Sequence, residues 1–307
     1  MIPKPIKRYY LKLILNKGSK MKKLYLIIFT FSTLLISQIN HPYPPLDLVS
    51  IPTSGTLPKG SFTIETLLTK NGGLVPKLME GLTENFSFGM SYGIQNFIGE
   101  DKPQINKETP ELQIKYRVFE ETESAPAFLV GLDTQGFGPY IETAEYTRYE
   151  HIDNGDGSIT TNEIVETREI NRYEQKAWGA YAVLSKNWNL LGNLGFHLGV
   201  NKNTFETKDN DSSMNLFFGF DKELNRSFSL LMEYNAALND GEEYVSTYED
   251  EFDFNDITVG KGKGFLNAGL RWNVAENLLI EVNFKDINLD EDDFVNREVK
   301  IMYSEKF

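Results

Sequence analysis

The chain has 307 residues, of which 31 are Lys or Arg, 44 are Asp or Glu and none is Cys, so its formal net charge is −13. The lack of cysteine excludes disulfides, zinc-thiolate sites and thiol catalysis. The acidic balance argues against binding nucleic acid or anionic lipid through a general basic surface, and we expect no nucleic-acid partner.

The first predicted element is an export signal. A basic start at Met21-Lys22-Lys23 is followed by an apolar stretch and a polar exit near Ser37-Gln38, which is the order of a secretory signal peptide. The alternative, a transmembrane helix, needs about 20 apolar residues, and this stretch is shorter. Residues 1–20 carry six bases and no acid. We therefore interpret 1–38 as a signal peptide with a basic upstream extension, and 39–58 as a periplasmic extension.

Beyond the signal, apolar and polar residues alternate with a period of two, which is typical of strands whose two faces meet different solvents. In residues 86–94 the apolar set is Phe86, Phe88, Met90, Tyr92 and Ile94. In residues 112–118 the apolar set alternates with Gln113, Lys115 and Arg117. Hydrocarbon does not accept these cations, so we expect them to face a polar lumen.

Such segments predict strands near 61–69, 73–82, 85–98, 110–119, 125–136, 174–186, 189–201, 213–221, 227–238, 263–273, 277–287 and 297–307. Bacterial single-chain barrels have an even number of strands. No segment after the signal is long and apolar enough for a membrane-spanning helix, so a closed barrel is the spanning structure that remains. The sequence therefore predicts an all-β fold over 59–307: a transmembrane, antiparallel, up-and-down barrel of about twelve strands in the bacterial outer membrane.

The connections between the predicted strands alternate in length. Short turns fall at 83–85, 120–124, 186–188, 222–226 and 274–276, and longer loops at 100–109, 137–173, 202–212, 239–262 and 288–296. Outer-membrane barrels have short periplasmic turns and long extracellular loops. Since 23 bases and 44 acids follow residue 38, these outer loops should be acidic. A soluble β-sandwich, the alternative, would not need this asymmetry.

The last strand carries a predicted assembly signal. Tyr303 and Phe307 close an alternating segment, which resembles the terminal strand by which the barrel-assembly machinery recognises its clients. Phrases such as Phe88-Gly89-Met90-Ser91-Tyr92-Gly93 and Leu216-Phe217-Phe218-Gly219-Phe220-Asp221 resemble uncharacterised outer-membrane barrel families. These families include barrels associated with exopolysaccharide export. The resemblance covers most of residues 55–307 and implies a barrel, with outer-membrane lipid and the assembly machinery as partners, but no reaction.

Inward-facing charges of both signs are predicted for the lumen. In a narrow barrel they either line a small pore or pair across it and close it. We predict a narrow porin-like channel for small solutes. The alternative is a structural, surface-assembly or polysaccharide-export barrel without an open pore, which would have a partner protein in the envelope. The predicted lumen residues are Glu65, Lys115, Arg117, Asp133, His197, Glu233, Arg271, Glu281 and Lys285.

One loop nearly matches a calcium-binding motif. Residues 152–163 provide acid, amide and hydroxyl oxygens around a glycine turn, although Ile152 stands at the first ligand position. An exposed Gly/Asp turn without metal explains the same residues. The acidic runs 242–243, 249–251 and 290–293 are interpreted as solvated loop faces. The predicted calcium ligands are Asp153, Asn154, Asp156, Ser158 and Glu163.

Enzymatic activity is the third alternative, since some outer-membrane barrels are hydrolases. Nucleophilic catalysis needs a nucleophile with a base in reach. The chain has three histidines, His41, His151 and His197, and a pair of His197 with Ser229 is the arrangement to test. A lone histidine between two glycines is more often a packed lumen residue, so we expect no catalysis.

Overall fold

A computed structural model describes residues 45–209, 211–240, 252–254, 263–288 and 296–307. The predicted signal peptide and the first residues of the predicted extension lie outside this part of the chain. Among the described residues, no helix has the length and hydropathy to cross a bilayer.

In the described residues the regular structure consists of seventeen strands and one 3-10 turn, Lys70–Gly72. In chain order the strands are β1 (Ser61–Leu68), β2 (Leu74–Thr83), β3 (Phe86–Ser91), β4 (Ile94–Gln95), β5 (Gln104–Ile105), β6 (Glu111–Phe119), β7 (Ala127–Asp133), β8 (Phe137–Asp153), β9 (Ile159–Gln175), β10 (Gly179–Asn189), β11 (Asn193–Lys202), β12 (Asn215–Glu223), β13 (Phe228–Asn235), β14 (Phe252–Phe254), β15 (Phe265–Ala275), β16 (Leu278–Lys285) and β17 (Asn296–Lys306).

Twelve of these strands form a closed antiparallel barrel, which confirms the predicted all-β barrel and its strand number. Each strand pairs with the next barrel strand along the chain, and β1 pairs with both β2 and β17. The closing pair runs in register from Ser61–Lys306 to Leu68–Val299. Because every strand has two neighbours, the sheet leaves no long unpaired edge.

The outer surface of the barrel is apolar because side chains alternate between its two faces. Leu198, Phe218 and Leu270 are 50%, 49% and 40% exposed, whereas their chain neighbours Phe217 and Gly199 are buried. The same alternation recurs on β3, β6, β15 and β16. Apolar side chains on the outside and polar ones inside are the pattern expected of a barrel in lipid.

The predicted loop 137–173 differs from the structure. It contains β8 and β9, two strands of 17 residues each that form a hairpin, and β14 pairs with β8. This three-stranded sheet is separate from the barrel. Its sequence is rich in Thr, Tyr and Glu and lacks an apolar face. The alternation of apolar and polar residues that identifies the barrel strands is therefore missing from it.

The predicted periplasmic extension also needs correction. Residues 45–57, which are all of its described part except Pro58, lie inside the barrel and hydrogen-bond to side chains of β10, β13 and β15; we call these residues the plug. The plug makes a tight turn, in which Leu48 N–H donates to the Ile51 carbonyl at 3.0 Å and Thr53 N–H to the Leu46 carbonyl at 3.1 Å. Its apolar residues have no regular period, so the sequence predicts neither a strand nor a helix here. In the structure these apolar side chains are buried by the interior of the closed barrel.

Candidate functional site: the plugged lumen

The tip of the plug is bound by one buried carboxylate. Glu233, on β13, accepts hydrogen bonds from the Ser50 N–H at 2.9 Å and the Ile51 N–H at 3.0 Å, and from the Ser50 hydroxyl. Asn267, on β15, donates to the same carboxylate at 2.8 Å. A buried carboxylate is costly unless it is hydrogen-bonded, and here the plug supplies most of its donors.

Asp47 is the one charged residue in the plug sequence, and it contacts two lysines of the wall. Its carboxylate lies 2.8 Å from Lys300 Nζ and 3.4 Å from Lys77 Nζ. Each lysine also has a carboxylate on the wall: Lys77 contacts Glu65 at 2.9 Å, and Lys300 contacts Glu281 at 3.4 Å. Asp47 therefore joins ion pairs that the barrel strands already form among themselves.

Two further cations bind the backbone of the plug. Arg271 donates to the Asp47 carbonyl at 2.9 Å and to Glu281 at 2.5 Å. Lys115 donates to the Leu46 carbonyl. Strong donors from β6 and β15 thus satisfy carbonyl groups that would otherwise be buried without partners.

The returning part of the plug contacts a chain of polar side chains. The Ser54 N–H donates to Ser185 Oγ at 2.9 Å, Ser185 Oγ lies 2.7 Å from His197 Nδ1, and His197 Nε2 lies 3.0 Å from Asp221. The hydroxyl that contacts His197 therefore belongs to Ser185, and not to Ser229 as the sequence had suggested. Sequence reasoning missed Ser185 and Asp221 because strand pairing across the barrel brings them together.

This serine–histidine–aspartate chain has the order of a catalytic relay, but it holds the plug. Acyl transfer also requires N–H donors aimed at the developing oxyanion. Two plug N–H groups beside Ser185 already have acceptors: Ser54 N–H donates to Ser185 Oγ itself, and Gly55 N–H donates to Thr53 Oγ1 at 3.1 Å. The geometry thus favours a structural contact.

An apolar cluster surrounds the tip of the plug. Leu48, Val49 and Ile51 pack against wall residues at the centre of the lumen. Burying an aliphatic side chain stabilises a fold by about 1.5–3 kcal/mol, so the cluster favours the closed position of the plug. The wall residues of this cluster are Leu129, Trp178, Tyr181, Val183, Phe217 and Leu231.

The plug divides the interior into separate cavities. A cavity of about 340 Å³ lies beside Leu57 and Arg271 and reaches the short turn at Glu276. A second, of about 330 Å³, lies beside Ser54 and reaches the short turn at Glu120. Beyond Val49 and Ser50, towards the loops, the cavity measures about 60 Å³. The two described cavities on the short-turn side of the plug are thus larger than the described cavity beyond its tip.

Most of the predicted lumen residues lie in the interior. Asp133 is half-buried and accepts hydrogen bonds from Gln113 and Gln135. Arg117 lies at the short-turn rim, where it donates to the Glu84 carbonyl at 3.0 Å. The other seven are buried inside the barrel, namely Glu65, Lys115, His197, Glu233, Arg271, Glu281 and Lys285.

Two lysines at the plug are absent from the predicted set. Lys77 lies on β2 next to Pro76, which obscures the alternation of that strand. Lys300 alternates with Val299 and Ile301, so the sequence did carry a signal for its inward position. Asp47 could not be placed from the sequence, because it belongs to no strand.

The loop end of the lumen is covered by a second charged cluster. Arg172, at the base of β9, contacts Asp209 at 2.8 Å and also Asp240, and Lys176 contacts Asp209 at 2.5 Å. Burial raises the pKa of Asp240, and the attraction of Arg172 offsets this only in part, so the pKa remains above its ordinary value. The cluster joins the hairpin base to two loops.

The predicted calcium loop forms the tip of the β8–β9 hairpin. Asp153 accepts from Gly155 N–H at 2.9 Å, and Asp156 accepts from Ser158 N–H at 2.9 Å. These bonds from Ser158 lower the pKa of Asp156. Asn154 donates to Ser158 and Thr160. In the part of the chain that the structure describes, no group of three acidic or histidine side chains is arranged to hold a metal; calcium binding at Asp153, Asn154, Asp156, Ser158 and Glu163 stays a prediction.

The C-terminal aromatic residues lie on the barrel surface at the short-turn end. The Phe307 N–H donates to the Gly60 carbonyl at 2.8 Å. Phe62 lies 5.1 Å from Phe307 and 6.4 Å from Tyr303 between ring centroids. Recognition of these residues by assembly machinery stays a prediction.

No family model and no curated protein matches the chain. Similar solved structures include a KdgM porin, with a TM-score of 0.37 and 8% identity over 80% of this chain and 99% of that one. A NanC porin has a TM-score of 0.35 and 10% identity over 80% of this chain and 99% of that one. OmpF of Salmonella typhi has a TM-score of 0.25 and 8% identity over 80% of this chain and 96% of that one. The fold assignment rests on the strand pairing itself, and the resemblance to polysaccharide-export barrels gains no support.

Proposed function

We propose that this chain is a narrow outer-membrane channel for small solutes, and that the plug closes its lumen in the structure described here. The observation that carries the proposal is the distribution of charge on the wall. Around the plug the barrel strands present ion pairs, such as Lys77 with Glu65 and Arg271 with Glu281. A permanently closed barrel would not need these charges, because replacing buried ion pairs by packed apolar residues is often stabilising. Charged walls are expected where the lumen opens to water and solutes.

The apolar outer face supports a location in lipid. Side chains such as Leu198, Phe218 and Leu270 are apolar and exposed on three different strands. Large contiguous apolar surfaces are rare on soluble monomers. With the predicted export signal, this surface supports insertion into the bacterial outer membrane.

Conductance in planar lipid bilayers tests the channel. Purified full-length protein should give discrete current steps, and a substitution that loosens the plug, Glu233→Gln, should increase the fraction of time spent open. A matched control is Glu223→Gln, whose carboxylate accepts from the Asn193 N–H at 2.8 Å at a short turn and not from the plug. Silent bilayers for the wild type and both variants would reject the channel.

A barrel with a structural or assembly role is the second candidate, and the plug itself favours it. Leu48, Val49 and Ile51 pack against the wall inside the lumen, and this packing obstructs a solute path while the plug is in place. In that case chemical cross-linking in intact envelopes should recover a fixed companion protein in stoichiometric amount. Recovery of the barrel alone, together with conductance, would favour the channel.

A further inference from the structure

We infer that Lys77 and Lys300 form a carboxylate-binding site on the lumen wall, which Asp47 occupies when the plug is in and a small carboxylate solute occupies when the plug withdraws. The inference rests on the proposed channel and specifies the chemical class of solute that the channel binds. In the structure the Asp47 carboxylate is the stand-in for the carboxylate of that solute.

The first support is the geometry of the site. The Nζ atoms of Lys77 and Lys300 lie 3.4 Å and 2.8 Å from different oxygens of the Asp47 carboxylate. The side chains of Lys77 and Lys300 are 15% and 3% exposed. Two ammonium groups that converge on one carboxylate in a sheltered interior bind it more strongly than an exposed lysine would.

The second support is how the cations around the plug are shared. Among the described residues, four cations contact the plug: Lys77, Lys115, Arg271 and Lys300. Lys115 and Arg271 bind backbone carbonyl groups of the plug, whereas Lys77 and Lys300 bind the Asp47 carboxylate. The attraction for a carboxylate is therefore local to these two ammonium groups.

The third support is that the charged residues of the proposed site keep partners on the wall when the plug leaves, although Lys115 loses the Leu46 carbonyl. Lys77 keeps Glu65, Lys300 keeps Glu281, Glu233 keeps Asn267, and Ser185 keeps His197. Pro45 and Leu57 both line the large cavity that reaches the short turns, so the two ends of the plug lie at the same end of the barrel. Withdrawal therefore breaks no strand pair.

A thiol placed in the plug reports withdrawal directly. The chain contains no cysteine and Val49 is buried, so Val49→Cys in the full-length protein should react with a small charged methanethiosulfonate only when the plug is out. Sodium acetate is the probe, because it copies the end of the Asp47 side chain. Since the tethered Asp47 has an effective concentration in the millimolar range or above, acetate is used at hundreds of millimolar, against sodium chloride of equal ionic strength.

A ligand that binds one state shifts the population by the factor 1 + [L]/Kd, so acetate at about three times its Kd should raise the labelling rate roughly fourfold over chloride. Lys77→Gln in the Val49→Cys background should abolish this acetate effect. Lys285→Gln is the matched control, because Lys285 pairs with Glu298 at 3.7 Å and not with Asp47; it should retain the effect. Asp47→Asn should label faster than the parent already in chloride.

The outcomes distinguish a failure of the carboxylate site from a failure of the proposed channel. Equal labelling rates in acetate and chloride, or an acetate effect that survives Lys77→Gln, overturn the carboxylate site whatever the bilayer recordings show. A thiol that never reacts while the protein conducts overturns it too and leaves the channel intact. Acetate-dependent labelling in a protein that never conducts supports the site and rejects the channel.

Discussion

The carboxylate of Glu233 lies 2.9 Å from the backbone nitrogen of Ser50 and thereby fixes the tip of the plug to β13. In Glu233→Gln one acceptor oxygen becomes an NH2 group that faces the Ser50 and Ile51 N–H donors. A buried donor left without its acceptor costs about 1–3 kcal/mol, so the thermal midpoint of the variant in detergent, measured by circular dichroism, should fall. Glu223→Gln should change it little; equal losses would place the effect outside the plug.

A glycine on β11 makes room for an aromatic ring of the lumen. A methyl group added at Gly199 would meet the ring of Phe217 at 2.2 Å and the Ala182 carbonyl at 2.7 Å. Gly199→Ala should therefore destabilise the barrel by about 1–3 kcal/mol through overpacking. Phe217→Ala should cost about 3–5 kcal/mol because it leaves a cavity.

The two substitutions should compensate each other in part, since they share one contact. Urea unfolding of both single variants and the double variant in lipid vesicles measures the coupling. Strict additivity would mean that Phe217 does not approach Gly199 in solution.

The cluster at the loop end depends on one buried guanidinium. Arg172→Met removes the partner of Asp240 and one partner of Asp209. Breaking a buried pair by removing one side costs about 3–5 kcal/mol. The loops should become sensitive to limited proteolysis while the barrel stays folded. Lys208→Met is the control, because its pair with Glu169 is exposed; proteolysis at the same rate in both variants would contradict the prediction.

The outer face gives a test of lipid contact. Phe218→Lys puts a charge on the exterior near the middle of β12, and an ammonium group at the bilayer midplane costs about 2–4 kcal/mol. Folding into vesicles, followed by the gel-mobility shift on heating, should show a reduced folded fraction. Met214→Lys, which is exposed just before β12, should fold like the wild type. Equal folding of the two variants would place Phe218 outside the hydrocarbon.

The hairpin tip gives a test of calcium. Oxygen ligands from residues 153–163 should bind Ca²⁺ with a heat of binding that calorimetry detects on full-length protein in a chelator-treated buffer. Asp156→Asn and Glu163→Gln should each weaken the signal. Glu150→Gln, on β8 just before the tip, should not. A titration without heat in the wild type would leave the glycine turn as the full explanation of the motif.

The barrel could be predicted from the sequence because its signal is local. Each strand faces hydrocarbon on one side, so alternation is visible within about ten residues, as in 86–91 and 228–235. Turn positions followed from the same reasoning. The inward positions of Glu233 and Arg271 could be predicted because each alternates with apolar residues along its own strand.

The plug and the hairpin could not be predicted from the sequence, for two different reasons. The plug is buried by residues that are remote in the chain, and the hairpin is largely surrounded by solvent. Leu48 and Ile51 are buried by residues more than 75 positions later in the chain, such as Leu129 and Phe217. No local pattern encodes such contacts. In the hairpin β8–β9, residues 150–162 are exposed on both faces, so this part lacks the contrast between faces that identifies the other strands.

That hairpin has a mechanical consequence. Its two strands have 17 residues each, and at about 3.4 Å per residue the hairpin is roughly 58 Å long. Its far end is exposed, while Arg172 and Tyr173 at its root are buried among the loops over the lumen. A force applied at the exposed tip would therefore be transmitted along the hairpin to the buried residues at its root. These residues lie at the mouth of the barrel, so binding at the tip is mechanically linked to the mouth.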